Sequence, residues 1–377
     1  MSKLLKKAIV KWFQHEIITT NLIPTIQFGG HTHSSCLDTG LTLLHDIQLA
    51  HVAGLKAWMV LFNVKGFFDS VNHDWMIGIL ENLGFAPEVV DWADTFLADC
   101  KIRLRFNSIT SDERVQPVGV PQSSPLSLVL LILYMSSLLL KMREWPNSSL
   151  GMYIDDGVLF TCVEEWAEVQ AILRDRYSVC EEWLSRSSLA IKPEKTEAIF
   201  FQSLGCISRL SLPHGSYSGI HHIPPTMWCV PPRNIWYLGF FFNKRLKWDH
   251  HVTIMCNRAR ALARAMKLLG NTVRGLSMAN WQLVLNAVCL PVLSYGSPLW
   301  FVPGKTKGLI AKTQAIHNEM VRRSHDPYQV GSFWYEDLEE SSHTLLIYCY
   351  LVQLLFSAIF WFCTFLCDQV PTSKDYA

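Results

Sequence analysis

The chain has 377 residues, half of them hydrophobic, with 33 basic and 32 acidic side chains and a formal net charge of +1. Such a length exceeds one small core and implies two or three subdomains, and the near-zero charge excludes a globally basic nucleic-acid binder, so any basic surface must be local. Eleven cysteines without a Cys-x-x-Cys pair argue against a zinc knuckle and a disulfide framework and fit a reducing compartment.

Residues 3–16 read as a basic amphipathic helix that lacks the uninterrupted apolar core of a secretory signal. A second helix is expected over 38–53, with Leu41, Leu44, Ile47 and Leu49 supplying its apolar contacts. The run at 57–63 is short and continuously apolar, which fits a buried strand ending at Asn63. Gly66 breaks that strand, and Asp69 caps the turn or helix that follows. Helical patterns recur at 74–83 and 87–99. A Pro-punctuated loop at 119–127, in which Ser124 is held extended by Pro125, enters an apolar helix at 128–140. That helix is too short to cross a bilayer and reads as core.

In MYIDDGVLF, residues 152–160, two apolar runs flank Asp155-Asp156-Gly157, a turn signal between strands. A helix at 164–185, then a turn and strand at 188–202, complete a set of strands and helices around a small sheet, an α+β arrangement. Residues 204–235, rich in Ser, His, Gly and Pro, read as a surface insertion. After Trp248, Asp249 is an N-cap and Gly270 a helix stop. On the helix between them Arg260, Arg264 and Lys267 form one basic stripe, with Met255, Leu262, Met266 and Leu269 on the opposite face. A helix of this kind can track a phosphate backbone; a solvated charged face has the same pattern. Finally, 344–367 gives 24 residues without a formal charge, enough to span a bilayer.

Paired carboxylates on a tight turn suit phosphoryl transfer. Two cations about 3.5–4 Å apart can stabilise the attacking and leaving oxygens of an in-line displacement, and such ions need anionic oxygens from separate chain segments. Asp155 could supply one ligand and the end of the 57–62 strand another. Adjacent side chains on extended backbone point opposite ways, so only one of Asp155 and Asp156 should face the site squarely. Taken alone, Asp-Asp-Gly reads more readily as a solvated turn.

The order FNVKGFFD, GVPQSSPLS, MYIDDG, LAIKPEKTE, WYLGFFF resembles the reverse transcriptases of non-LTR (LINE-like) retrotransposons over about residues 27–323. QFGGHTHSSCLDTGLTLLHDIQLAH resembles the fingers segment of fungal-type elements. The resemblance implies a right-hand polymerase: a fingers segment at 1–56, a palm with inserted fingers elements at 57–245, a helical thumb at 246–323 and a tail outside the family at 324–377. It implies RNA-directed DNA polymerisation by two-metal nucleotidyl transfer with Mg2+ or Mn2+, acting on an RNA template, a DNA primer and deoxynucleoside triphosphates.

It also assigns the first metal-ligand position to Asn63 and the second to Asp155, with Asp156 in support. Asn is nearly isosteric with Asp but neutral and cannot bridge two cations as an anion, so this copy is expected to be weak or inactive. Asp69 is the one stand-in that even spacing suggests. Phe68 matches the aromatic beside the incoming sugar, and Gln122 a residue near template and nucleotide. Ser123 stands where the family has Gly. Lys195 matches the lysine that neutralises or protonates departing pyrophosphate, and His31 stands where a basic residue faces the triphosphate. Neither an endonuclease before the polymerase segment nor a ribonuclease H domain after it is read. The alternatives are a non-catalytic nucleic-acid-binding palm and a relic anchored to a membrane through 344–367. Nothing in the sequence signals an oligomer. The residence implied is nuclear or cytoplasmic for a soluble retroelement protein and a membrane if 344–367 inserts.

Overall fold

The structure is a computed structural model that describes residues 2–201 and 234–324, apart from 21, 25, 31–33, 99, 123, 146–147, 267–279, 281–282 and 303. His31, Ser123, Lys267, Gly270, nearly all of the 204–235 insertion and the apolar run 344–367 lie outside the described residues. The chain divides into two compact units, Met1–Leu238 and Gly239–Ala377.

The first unit is built on one four-stranded sheet. Its strands are β1 (Lys56–Asn63), β6 (Ser148–Tyr153), β7 (Asp156–Val163) and β8 (Glu197–Phe201), in the order β6-β7-β1-β8 and antiparallel throughout. Side chains alternate across a strand, and β1 is apolar on both faces because both are covered. Trp58, Val60 and Phe62 join the main core with α5 (Pro125–Arg143) and α6 (Trp166–Arg186). Met59 and Leu61 point to the other face, toward which α2 (Cys36–Val52) packs. The buried face of α2 is Leu43, Leu44, Ile47 and Ala50, whereas Leu49, expected among its contacts, is 54% exposed. The correction is one of helical phase: 43, 44, 47 and 50 follow the 3.6-residue repeat, and 49 falls outside it.

Helix α5 carries 19 residues, longer than expected, and Tyr134, Leu138 and Leu139 on it are completely buried. It has the length and apolarity of a membrane span, but here it is the central core helix. Ser124 precedes it with an extended backbone (φ −89°, ψ 128°) and Pro125 occupies the first helical position, where a missing N–H costs nothing. Tyr134 donates from its hydroxyl to the Ser187 carbonyl at 2.5 Å, tying α5 to the end of α6. Burial pushes that phenol up to about 12. Helices α1 (Ser2–Thr19), α3 (His73–Asn82) and α4 (Pro87–Ala98) complete the layer, and Asn72, not Asp69, caps α3 by accepting from the Trp75 amide at 2.8 Å.

Four two-residue strands lie between α4 and α5: β2 (Lys101–Ile102), β3 (Arg105–Phe106), β4 (Ile109–Thr110) and β5 (Arg114–Val115). They form an exposed arm, with Asn107 and Ser108 at positive φ in its tip, the backbone that a two-residue hairpin requires. Strand β9 (Asn234–Tyr237) ends the first unit.

The second unit opens with β10 (Phe240–Asn243) and continues through α7 (Asp249–Met266), a π-helical turn at Leu285–Cys289, α8 (Leu290–Leu293), α9 (Ser297–Trp300) and α10 (Lys307–Ser324). Its centre is aromatic: Phe240, Trp248 and Tyr295 surround His251, whose Nε2 lies 2.9 Å from the Tyr295 carbonyl.

Candidate functional site

The end of β1 is held from both sides before any side chain acts. Asn63 pairs with Asp156 across β1 and β7, while its carbonyl accepts the Lys192 amide at 2.8 Å. The Val64 amide donates to the Asp155 carbonyl at 2.8 Å, and Lys65 to Ala190 at 2.7 Å. The residues brought together come from three distant segments, fixed by the register of β1 and β7 and by the loop hydrogen bonds that follow it.

The β6–β7 turn differs from the expected Asp-Asp-Gly turn. Tyr153 pairs with Asp156, so the two turn residues are Ile154 and Asp155, and Asp156 opens β7. Ile154 has φ 59°, a value rare for a β-branched residue and one that a II′ turn gives to Gly. The strain is offset by close packing: a Cβ on Gly29 would stand 2.5 Å from the Ile154 nitrogen, and Phe28 donates to the Met152 carbonyl at 3.1 Å. Gly157 is required for a similar reason, since a Cβ there would lie 2.3 Å from the Phe62 ring.

Because Asp155 sits in the turn and Asp156 on the strand, both carboxylates reach one point, contrary to the expectation that only one could. At that point stands the Asn63 amide. Its nitrogen donates to Asp155 Oδ2 at 3.0 Å and to Asp156 Oδ1 at 2.7 Å. Asn63 is 8% exposed, and among the described residues its amide oxygen has no hydrogen-bond partner. Burial raises the Asp156 carboxyl above its ordinary range; the Asn63 hydrogen bond works against this, Asp155 adds to it, and Lys195 and Lys192 lower it.

A cavity of about 250 Å³ adjoins this group, lined among others by Leu61, Asn63, Asp156, Lys195, Trp236 and Tyr237. Lys195 belongs to a 3-10 turn, Pro193–Lys195, and the structure thus brings it to the carboxylates. Tyr237 is 3% exposed with no partner for its hydroxyl among the described residues, and its phenol is raised by burial, then by Asp156 and Tyr153. Sequence reasoning passes over Tyr237 and Lys192, although both lie inside quoted motifs. An apolar-looking Tyr and a turn Lys carry no signal until the sheet places them.

Phe67 is core at 3% exposure, whereas Phe68 is only partly buried and its carbonyl accepts the Val120 amide at 2.7 Å. That contact sets the 119–122 loop beside it. Gln122 donates to Asp69 Oδ1 at 3.5 Å. Asp69 is therefore turned toward Gln122, and among the described residues no group of three or more Asp, Glu, His or Cys could hold a metal. Rescue of the metal site by Asp69 fails on this geometry.

The residues present do not fit a two-cation centre. Two carboxylates are offered where bridging needs anionic oxygens from separate segments, and the space between them is filled by an N–H-bearing group. The orphaned Asn63 oxygen faces away from it.

In the second unit, the buried face of α7 is Val252, Met255, Cys256, Ala259 and Ala263; of the expected set Met255 is buried and Leu262 partly buried, while the Met266 side chain and Leu269 lie outside the described residues. One flank of the basic stripe lies against α10. Arg260 donates from Nε to Glu319 Oε2 at 2.9 Å, and Lys312 to the Thr253 hydroxyl at 2.6 Å. Arg260 is thus engaged in helix packing, and Arg264 is the exposed member of the stripe among the described residues.

Comparison with known proteins agrees with the motifs. The family model for reverse transcriptase (RNA-dependent DNA polymerase) matches residues 1–242. A probable RNA-directed DNA polymerase from transposon BS of Drosophila melanogaster is 24% identical over 344 residues, covering 90% of this chain and 37% of that protein. One from transposon X-element of the same organism is 24% identical over 337 residues, covering 85% and 34%. The chain thus spans about a third of the length of these curated relatives. Among solved structures, telomerase from Candida tropicalis with a fragment of telomeric RNA aligns with a TM-score of 0.46 at 10% identity, over 90% of this chain and 56% of that one. The chain belongs to the reverse transcriptase (RNA-dependent DNA polymerase) family and is a domain of the non-LTR retrotransposon kind.

Proposed function

We propose that this chain is an RNA-directed DNA polymerase domain whose nucleotidyl transfer is impaired in this copy by Asn63. In this reading 1–56 is a fingers segment, 57–245 the palm and 246–323 the thumb, with an RNA template, a DNA primer and deoxynucleoside triphosphates as partners. The family implies dependence on a divalent metal; Mg2+ or Mn2+ would be the ion, held by Asp155 in a copy that has a carboxylate at position 63.

The observation that carries the reading is the double hydrogen bond from Asn63 to Asp155 and Asp156. It puts the three motif residues at one point, and the first of them is a donor rather than an anion. Around it, Lys195 is the group to neutralise a leaving phosphate, Phe68 to crowd a 2′-hydroxyl, and Gln122 to orient template or nucleotide. Phosphate contacts by such a domain are salt-dependent.

The test is primer extension on an RNA template by the Asn63→Asp variant, alone and with Ser123→Gly and His31→Arg added, beside hybrid binding by the unmodified chain. Binding that weakens steeply with salt, and extension restored by Asp, are the expected results. Absence of hybrid binding, or extension by the unmodified chain equal to that of the variant, would overturn the proposal.

A further inference from the structure

We infer that Asn63 takes the structural place of a divalent cation, assembling Asp155 and Asp156 through its amide so that the site closes without metal. The inference rests on the polymerase reading above and concerns how this copy's site holds together.

Two carboxylates that converge on one point repel, and a polymerase site of this design uses cations to bring them together. Here one –NH2 group has two hydrogens and two anionic acceptors, at 2.7 and 3.0 Å. Hydrogen bonds to ionised oxygens are about twice as strong as neutral ones. The amide has a direction, because its oxygen is buried without a partner among the described residues while both protons are used. A cation placed between the carboxylates would require the amide to turn over, exchanging two charge-assisted bonds for one neutral oxygen ligand.

The amide is also unable to retreat. Its backbone is fixed on one side by the pairing with Asp156 and on the other by the Lys192 amide, so only rotation of the side chain is open to it. Lys192 and Lys195 both act on Asp156 electrostatically, which gives that carboxylate two nearby positive charges of the protein's own. Aspartate at position 63 would remove both donors and set three carboxylates together, a cluster that needs a cation to persist.

Thermal unfolding of the full chain in chelator, in saturating Mg2+ and in saturating Mn2+ tests this. The unmodified protein should melt at one temperature in all three, while Asn63→Asp should melt lower in chelator and recover by several degrees with either ion. An equal cation-dependent rise in both proteins would overturn the inference. Should the variant fail to fold, the Asn63 side-chain amide protons of the unmodified protein decide alone. They should stay hydrogen-bonded and unbroadened when Mn2+ is added; paramagnetic loss of that signal at stoichiometric Mn2+ would sink the idea. Neither readout needs catalysis, so a failure of primer extension by Asn63→Asp would count against the polymerase reading and leave this one standing.

Discussion

The amide nitrogen of Asn63 lies 2.7 Å from Oδ1 of Asp156 and donates to it, at the one register position where β1 and β7 pair an amide with a carboxylate. The contact joins the last residue of one strand to the first of the next. If it holds the strand ends together, then Asn63→Ala should destabilise the first unit by about 1.5–3 kcal/mol, the range for a hydrogen bond to a charged group. Urea unfolding followed by tryptophan fluorescence would measure it, and a loss below about 0.5 kcal/mol would show that the bond is not a structural one.

A second prediction concerns Gly157. Phe62 lies directly across from it in the β1–β7 ladder, and its ring occupies the space a side chain would need, 2.3 Å from where a Cβ would stand. Gly157→Ala should therefore shift the Phe62 ring and cost about 1–3 kcal/mol, as overpacking of a filled core does. The double variant Gly157→Ala, Phe62→Leu should recover part of that loss; no recovery would place the strain in the backbone instead.

The sheet and its helices are legible in the sequence because their signals are local. The run from Ala57 to Phe62 is apolar at every position, and Ser124-Pro125 marks a helix start whatever lies around it. The contact between Asn63 and the two aspartates is not legible, since spacing places Asp156 on a strand but says nothing of which residue faces it. Asp-Asp-Gly, the stronger turn signal in isolation, misplaces the turn by one residue, because pairing of Tyr153 with Asp156 and the contact of Gly29 with Ile154 decide the register. On α7 the basic spacing is plain, but Glu319, 59 residues along the chain from Arg260, is invisible to a helical wheel.

That packing separates the two arginines. Arg264 is exposed, so Arg264→Gln should weaken binding of an RNA–DNA hybrid and flatten the salt slope by about 0.7–0.9, one phosphate contact. Arg260→Gln should leave the slope nearly unchanged and lower stability instead. Its ion pair with Glu319 is partly exposed, at 37% and 29% of the two side chains, so the loss should be about 0.2–1 kcal/mol. An equal change of slope for both variants would restore the stripe as a single phosphate-binding row.

The second unit should also weaken in mild acid. Burial lowers the His251 imidazole below its ordinary 6.5, with the Tyr295 carbonyl acting the other way and Arg258 and His250 adding to the shift. His317 is lowered by burial too, against a hydrogen bond in which the Asn318 side chain favours the protonated ring. For a base whose folded pKa is depressed, the unfolded chain binds more protons between the two pKa values, so stability rises with pH there. The unit should thus be fully stable above about pH 7 and lose stability as pH falls through 6.5 toward the lower folded values. His251→Gln should flatten the dependence. A melting temperature unchanged between pH 7 and pH 5.5 would contradict it.

The last prediction is about rate. The unmodified chain should extend a primer on an RNA template poorly, because a neutral donor stands where a bridging carboxylate is needed and the charge it would contribute between two cations is missing. A deficit of about 4 kcal/mol corresponds to roughly a thousandfold in rate at about 1.36 kcal/mol per factor of ten. Asn63→Asp should recover much of it, since the backbone of residue 63 already sits in register with Asp156 and needs no movement. In that background Lys195→Gln should cost a further factor of about 10²–10⁴, the usual contribution of a positioned proton donor, if Lys195 serves the departing pyrophosphate. If the unmodified chain comes within tenfold of Asn63→Asp, the amide is no obstacle and the impairment is wrong. If Asn63→Asp binds hybrid but Lys195→Gln changes nothing, the lysine merely balances the charge of Asp156 and takes no part in the transfer.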